Sequence, residues 1–147
     1  MSGDWSSDVC SSDLIDTNVL IAAFRGNNSV SDQAQKVLDD PNRTFVVSDY
    51  LELEVLPKPL FLKKEEEVAF MRAIFAVAEN VPTSPEVTKN AIELASRYNI
   101  SPMDALHVGV AQAANVDEFI TLEKWTKPMC QVTEVNVTSI LPVDEPQ

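Results

Sequence analysis

The chain has little cysteine, little histidine and little positive charge, and each shortage removes a class of function. Its two cysteines, Cys10 and Cys130, make neither a disulfide framework nor a zinc site, so a reducing cytoplasm is the expected setting. With His107 as the single histidine, no cluster for a softer metal is present. No apolar run approaches the ~20 residues needed to span a bilayer, and no basic stretch followed by an apolar one opens the chain. Neither a membrane span nor a secretory signal is therefore expected. Eleven Lys and Arg stand against 23 Asp and Glu, a net charge of −12, which argues against a generic nucleic-acid-binding surface. It leaves open an enzyme whose bound cations supply the positive charge at a phosphate. The 147 residues are enough for one domain with a sizeable core.

The most informative residue is Asp16. Leu14-Ile15 runs into Asp16-Thr17-Asn18, and the apolar stretch Val19–Phe24 follows at once. This places a carboxylate where a strand ends and a helix begins, the edge at which open α/β sheets hold their sites. A second aspartate, Asp104, lies in Ser101-Pro102-Met103-Asp104-Ala105-Leu106-His107. Glu54 and Glu123 follow two further strand-like runs. Four carboxylates at one sheet edge are incompatible with full ionisation unless cations are present. Hard Mg²⁺ or Mn²⁺, which prefer carboxylate and water oxygens, fit such a site.

Each acid also has a structural alternative. Asp16 is a possible helix cap, although Thr17 or Asn18 would serve equally. Asp104 fits a capping box with Ser101 at the cap and Pro102 at the first helical position. Yet it leads an almost wholly apolar helix, where an unpaired carboxylate is strongly desolvated. Glu52 and Glu54 are two apart on one helix and point in different directions. Glu123 is alternatively an exposed glutamate beyond a strand. Asp117 and Glu118 lie at the wrong end of that strand and read as turn residues. His107 is expected to be a core histidine bonded to backbone. Arg25, Lys58, Lys63, Lys64, Lys124 and Lys127 fall in or near loops that flank the acids.

The elements follow from periodicity. Val19–Phe24 and Ser31–Asp40 read as helices, the second with Ser31 as its cap. Thr44–Val47 reads as a buried strand, with Ser48 capping a short helix limited by Pro57 and Pro59. Lys63–Glu79 is helical, with Val68, Met71, Phe75 and Ala78 on one face. Pro85–Tyr98 turns Val87, Ala91, Leu94 and Tyr98 inward, and Pro102–Ala114 is apolar nearly all round. Glu118–Leu122 and Val132–Val137 read as strands. Strands separated by helices indicate an α/β sandwich with a mainly parallel sheet.

In this order and spacing the acidic motifs resemble those of PIN-domain ribonucleases. Asp16-Thr17-Asn18-Val19-Leu20-Ile21 is similar to the first motif. Val47-Ser48 with Leu53-Glu54-Val55-Leu56 is similar to the second, and Met103-Asp104-Ala105-Leu106-His107 to the third. Phe119-Ile120-Thr121-Leu122-Glu123 is similar to the fourth, where the family usually has aspartate. The resemblance covers residues 14 to about 140. It implies a PIN-like three-layer α/β/α sandwich with a central first strand and strand order 3-2-1-4-5. It selects Asp16, Glu54, Asp104 and Glu123 as the catalytic set, with Asp16, Asp104 and Glu123 on Mg²⁺ or Mn²⁺ and with Thr17, Asn18 and Thr121 in support. It implies an endoribonuclease hydrolysing RNA by in-line attack of water, leaving a 5′-phosphate and a 3′-hydroxyl. Many small bacterial proteins of this shape are VapC-type toxins restrained by an antitoxin, so an antitoxin partner and a homodimer are both expected. The alternative is a PIN fold working as an interaction module with weak or no nuclease activity. A phosphatase of the two-aspartate kind would want an acid at position 18, where Asn18 stands.

Residues 3–14 carry a second resemblance. Asp4-Trp5-Ser6-Ser7-Asp8-Val9-Cys10-Ser11-Ser12-Asp13, followed by Leu14, is similar to the translation of a common sequencing-library adapter. Residues 1–13 are therefore expected to be non-native, 14–141 the domain, and 142–147 a loose tail. Residues 1 to about 8 have no apolar pattern with which to pack. Residues 10–15 must then stand in for the central strand, with Ser11, Ser12 or Asp13 where apolar residues belong.

Overall fold

The computed structural model describes residues 10–142, and the expectations for residues 1–8 and for most of the tail lie outside them. Five strands form one parallel sheet: β1 (Ser11–Ile15), β2 (Arg43–Ser48), β3 (Glu79–Val81), β4 (Glu118–Thr121) and β5 (Val137–Ser139). Their order is β3-β2-β1-β4-β5, the PIN-like 3-2-1-4-5 arrangement. Leu14 aligns with Val46 on one side and with Phe119 on the other, which makes β1 the central strand.

Successive strand residues point to opposite faces, so the two halves of each apolar pair enter different cores. Leu14, Val46 and Phe119 pack with Val87, Leu94 and Val108 on one face. Ile15, Val47 and Ile120 pack with Leu20, Leu51 and Met71 on the other. This double burial is why the strands read as continuous apolar runs.

The helices are α1 (Thr17–Arg25), α2 (Ser29–Leu38), α3 (Asp49–Val55), α4 (Pro57–Phe61), α5 (Glu65–Val77), α6 (Pro85–Tyr98) and α7 (Pro102–Ala114). Ser48, Ser84 and Ser101 cap α3, α6 and α7, each accepting an N–H bond in the first turn. Asn99 and Asn115 end α6 and α7 at φ 57° and 55°, the left-handed conformation that asparagine tolerates. Helices α6 and α7 pack tightly at Gly109, where any Cβ would lie 3.0 Å from the Val87 carbonyl oxygen. That contact seats the helix that carries Asp104 and His107.

Three expectations are corrected. Asn28, not Ser31, caps α2, and the Ser31 N–H is the group that donates to it at 2.8 Å. Val132–Val137 is not a strand. A 3₁₀ turn (Pro128–Gln131) precedes this stretch and turns at 133–136 occupy it, with Met129, Val132 and Val135 buried three residues apart, and β5 begins only at Val137. The short β3 lies at the end of what reads as one helical pattern, because α5 stops at Val77 and the chain extends at Ala78.

Ser11–Ile15 fills the central position with mixed chemistry. Leu14 and Ile15 belong to the cores, but Asp13 is fully buried. Its Oδ2 pairs with Arg43 at 2.9 Å and accepts from Ser11, while Oδ1 has no partner among the described residues. Arg43 also holds Asp40 at 3.2 Å and Glu118 at 2.9 Å. The two halves of the Arg43–Asp13 pair are thus not equivalent. Arg43→Met leaves Asp13 buried without a cation and is expected to cost about 3–5 kcal/mol of stability. Asp13→Leu leaves Arg43 with two acids and removes the orphaned oxygen, so it is expected to be neutral or stabilising. Urea unfolding of both variants measures this. On the proposal that residues 1–13 are not native to the domain, replacing residues 2–13 by Lys-Val-Leu should also raise Tm.

Candidate active site

Asp16 directly follows the central strand. Its own N–H continues the sheet, donating to the Ile120 carbonyl at 2.9 Å. Its carboxylate is only 6 % exposed. Oδ1 accepts from the Thr17 N–H at 2.8 Å, and Oδ2 accepts from the Thr121 hydroxyl at 2.7 Å. Asp16 is therefore itself the cap of α1. The capping and ligand readings coexist, because each carboxylate oxygen keeps a second lone pair. Burial pushes the Asp16 proton affinity above the ordinary aspartate value, and the Asp104 carboxylate adds to it. The bonds from Thr121 and Thr17 and the His107 charge only partly offset that rise.

Thr121 ties the end of β4 to the same point. Its Oγ1 accepts the Glu123 N–H at 3.1 Å while donating to Asp16. Asn18 laces α1 to the β4 exit, accepting the Leu122 N–H at 3.1 Å and donating to Thr121 at 3.5 Å. Asn18 thus supports Asp16 through Thr121 rather than by touching it. Thr17 supports Asp16 through its N–H, while its hydroxyl goes to Glu54 Oε1 at 2.5 Å.

Asp104 and Glu123 line one cavity of about 200 Å³ with Lys127 and Met129. Asp104 is half-buried, and Ser101 accepts its N–H at 3.2 Å. No return bond from its carboxylate to Ser101 is formed among the described residues, which leaves that carboxylate free to face the cavity.

Glu54 shares the α3 surface with Glu52, but only Glu54 makes contacts in the site. His107 Nε2 lies 2.8 Å from Glu54 Oε1. This corrects the expected backbone partner of His107. Because an ionised carboxylate only accepts, Nε2 carries the hydrogen. Burial works to raise the Glu54 proton affinity, but the bonds from Thr17 and His107 and the imidazole charge bring it below the ordinary glutamate value. Position 107 signalled this weakly. It follows Asp104 by three residues and so shares its side of α7.

Thr17 links Asp16 to Glu54, Asp104 and Glu123 share a cavity, and the Asp104 charge is felt at Asp16, past the carboxyl ends of β1, β2 and β4. Among the described residues no three acidic, histidine or cysteine side chains converge as a ready metal cage. The donor set nevertheless fits a hard divalent cation. Asp16, Asp104 and Glu123 offer oxygens only, and the cavity lined by Asp104 and Glu123 leaves room for the waters that Mg²⁺ retains. Burial, with the Glu123 and Asp16 charges, pushes the Cys130 thiol up.

The fold recurs in solved structures. A toxin–antitoxin complex from Klebsiella pneumoniae is similar with TM-score 0.65 and 23% identity, covering 86% of this chain and 95% of that one. VapBC2 from Rickettsia felis, bound to a DNA fragment from its promoter, gives TM-score 0.67 at 18% identity, over 87% and 98%. Mycobacterium tuberculosis VapC20, described as a sarcin-ricin loop cleaving toxin, gives 0.58 at 15% identity, over 73% and 86%. Among curated proteins none matches the sequence. The model of the PIN domain matches residues 14–124, from the end of the central strand to just beyond Glu123, and the chain belongs to the PIN domain family.

Proposed function

We propose that the protein is a metal-dependent endoribonuclease and the toxin of a toxin–antitoxin pair. The observation that carries this reading is the buried Asp16 carboxylate, clamped between Thr17 and Thr121 and crowded by Asp104. A carboxylate held so firmly, yet short of compensating charge, is suited to receive a cation. Asp16, Asp104 and Glu123 would hold Mg²⁺ or Mn²⁺. Such an ion, when bound, lowers the pKa of its water and neutralises charge at a phosphodiester.

The chain's own residues set the geometry. Thr121 and the Thr17 N–H stop the Asp16 carboxylate from rotating. Glu54 has Oε1 occupied by Thr17 and His107, so Oε2 is the oxygen left to face a reacting water or substrate. Glu54 is ionised and held in place, as a group that orients water must be. Glu123 extends one methylene further than the usual aspartate, which suits it to the outer side of the site. The fold neighbours include toxin–antitoxin complexes, and an antitoxin chain is the corresponding partner proposed here. No helix among the described residues is long and apolar enough to cross a membrane. A cytoplasmic setting is part of the proposal.

Asp16→Asn is expected to keep the fold, since asparagine caps helices as well as aspartate and can still bond to Thr121. It should lose roughly a thousandfold in cleavage of an unstructured RNA, the equivalent of several kcal/mol of charge stabilisation. Mn²⁺ at about 100 times its Kd should stabilise the wild type by about 2.7 kcal/mol in thermal unfolding and the variant hardly at all. Equal stabilisation of both proteins would place the cation elsewhere. Cleavage retained by the variant would remove Asp16 from the reaction, and no cleavage by the wild type would leave the interaction-module reading.

Glu54→Gln should be far more damaging than Glu52→Gln, because only Glu54 bonds to Thr17 and His107. Glu123→Asp should keep or raise activity. Initial rates of the three variants on one RNA decide both points.

A further inference from the structure

We infer that the cavity beside Glu54 is a phosphate subsite, holding a backbone phosphate of the RNA strand next to the one being cleaved. The inference rests on the ribonuclease reading above and adds the residues that engage the strand beyond the reacting bond. The cavity, of about 120 Å³, is lined by Arg25, Lys58, Lys64 and Leu62 with the acids Glu54 and Glu67. Three separate elements deliver the cations. Arg25 is the last residue of α1, Lys58 lies in α4, and Lys64 immediately precedes α5. Their convergence owes nothing to a run in the sequence.

The gathering of three cations at one cavity is what makes it informative. The net charge is −12 and only 11 residues carry a positive charge. Arg43 and Arg97 are held in ion pairs, whereas Arg25, Lys58 and Lys64 form none among the described residues. Lys63 brings Lys64 into place through a turn at φ 57°, an uncommon conformation for a lysine. Helix α5 begins without a side-chain cap, so its first N–H groups remain open to an anion at the mouth of the same region, which Arg25, Lys64 and Glu65–Glu67 line. Three cations thus line the cavity with Glu54 and Glu67, and Glu65 and Glu66 stand at its mouth. An arginine fork and two lysines match a phosphodiester oxygen set. The cavity opens directly beside Glu54, so a strand whose scissile phosphate lies among the four acids can place a neighbouring phosphate here.

The test uses the full chain and a fluorescein-labelled, unstructured RNA of roughly 12 nucleotides, a length typical of single-strand sites. Binding is measured in EDTA across a salt series for the wild type, Arg25→Gln/Lys58→Gln/Lys64→Gln, and Lys89→Gln on exposed α6. Losing three phosphate contacts should reduce the slope of log K against log salt by about 2, at about 0.7 per contact for single strands. With Mn²⁺ present, KM should rise while kcat changes little, and Lys89→Gln should match the wild type. Equal thermal unfolding of the forms shows that the fold is kept, and each single variant should lose about one third of the effect. Unchanged slope and affinity in the triple variant, or no RNA binding by the wild type, overturns the subsite. A polyglutamate peptide that binds as tightly, and is weakened equally by the same substitutions, also overturns it in favour of an acidic-peptide surface. The two readings fail separately. Cleavage abolished by Asp16→Asn with an unaltered triple variant removes the subsite alone, whereas RNA binding weakened in the triple variant with no cleavage by any form removes the nuclease reading alone.

Discussion

The site depends on the pairing of β1 with β4 extending one residue beyond the strand. The Asp16 N–H donates to Ile120 as though Asp16 were still part of the sheet, while its carboxylate already caps α1. One residue thereby serves two elements, and its side chain has no freedom of its own. Thr121, the last residue of β4, completes the clamp and orients the departing chain through the Glu123 N–H. Asn18 and Leu122 repeat the lacing, two residues past Asp16 and one past Thr121. Shifting the β1–β4 register by one residue would exchange Leu14 and Ile15 between the two cores and turn the carboxylate away. The packing of the cores and the placing of the acid are one constraint.

Two acids respond oppositely to the same neighbourhood. Asp16 is buried, and two hydrogen bonds do not compensate for the lost water, so its proton affinity rises. Glu54 keeps 31 % of its side chain exposed and receives Thr17 and His107 on a single oxygen, so its affinity falls despite burial. Opposed shifts of this kind are how one pocket assigns different roles to chemically similar groups. The first acid has too little counter-charge to offset its burial. The second already has its partners and is held to one orientation.

Much of this was legible in the sequence, and what was not has identifiable causes. The parallel architecture followed from apolar strand runs alternating with amphipathic helices. The strand order did not, because two-sided burial gives Val46-Val47 and Phe119-Ile120 the same appearance in either order. It came from the family resemblance. Val132–Val137 misled because three-residue spacing of buried side chains in a turn resembles a short β-branched run. At the site, the four acids stood at motif positions, but which hydroxyl serves which acid depends on helix rotation. Thr17 accordingly serves two acids, Asp16 through its N–H and Glu54 through its hydroxyl. His107 was read as a core residue, and it is fully buried. Its partner arrives from α3, 53 residues away in the chain, which no local pattern encodes.

The charge balance and the proposed chemistry constrain each other. A chain at −12 repels a polyanion at long range, so RNA contact has to be made where the field is locally reversed. Cations held among Asp16, Asp104 and Glu123 would reverse it at the reacting phosphate. On the Glu54 flank positive charge is already supplied by protein side chains, since Arg25, Lys58 and Lys64 line one cavity together with Glu54 and Glu67. The Glu123 flank differs, with Lys127 as the one cation lining the cavity shared with Asp104. A strand crossing the site therefore meets unequal fields on its two sides. Its electrostatically favoured course runs past Glu54 toward Arg25 and Lys64. Because screening confines these effects to about 8–10 Å at ordinary salt, the surplus of acid elsewhere does not cancel the local attraction. It disfavours RNA held anywhere but across the four carboxylates.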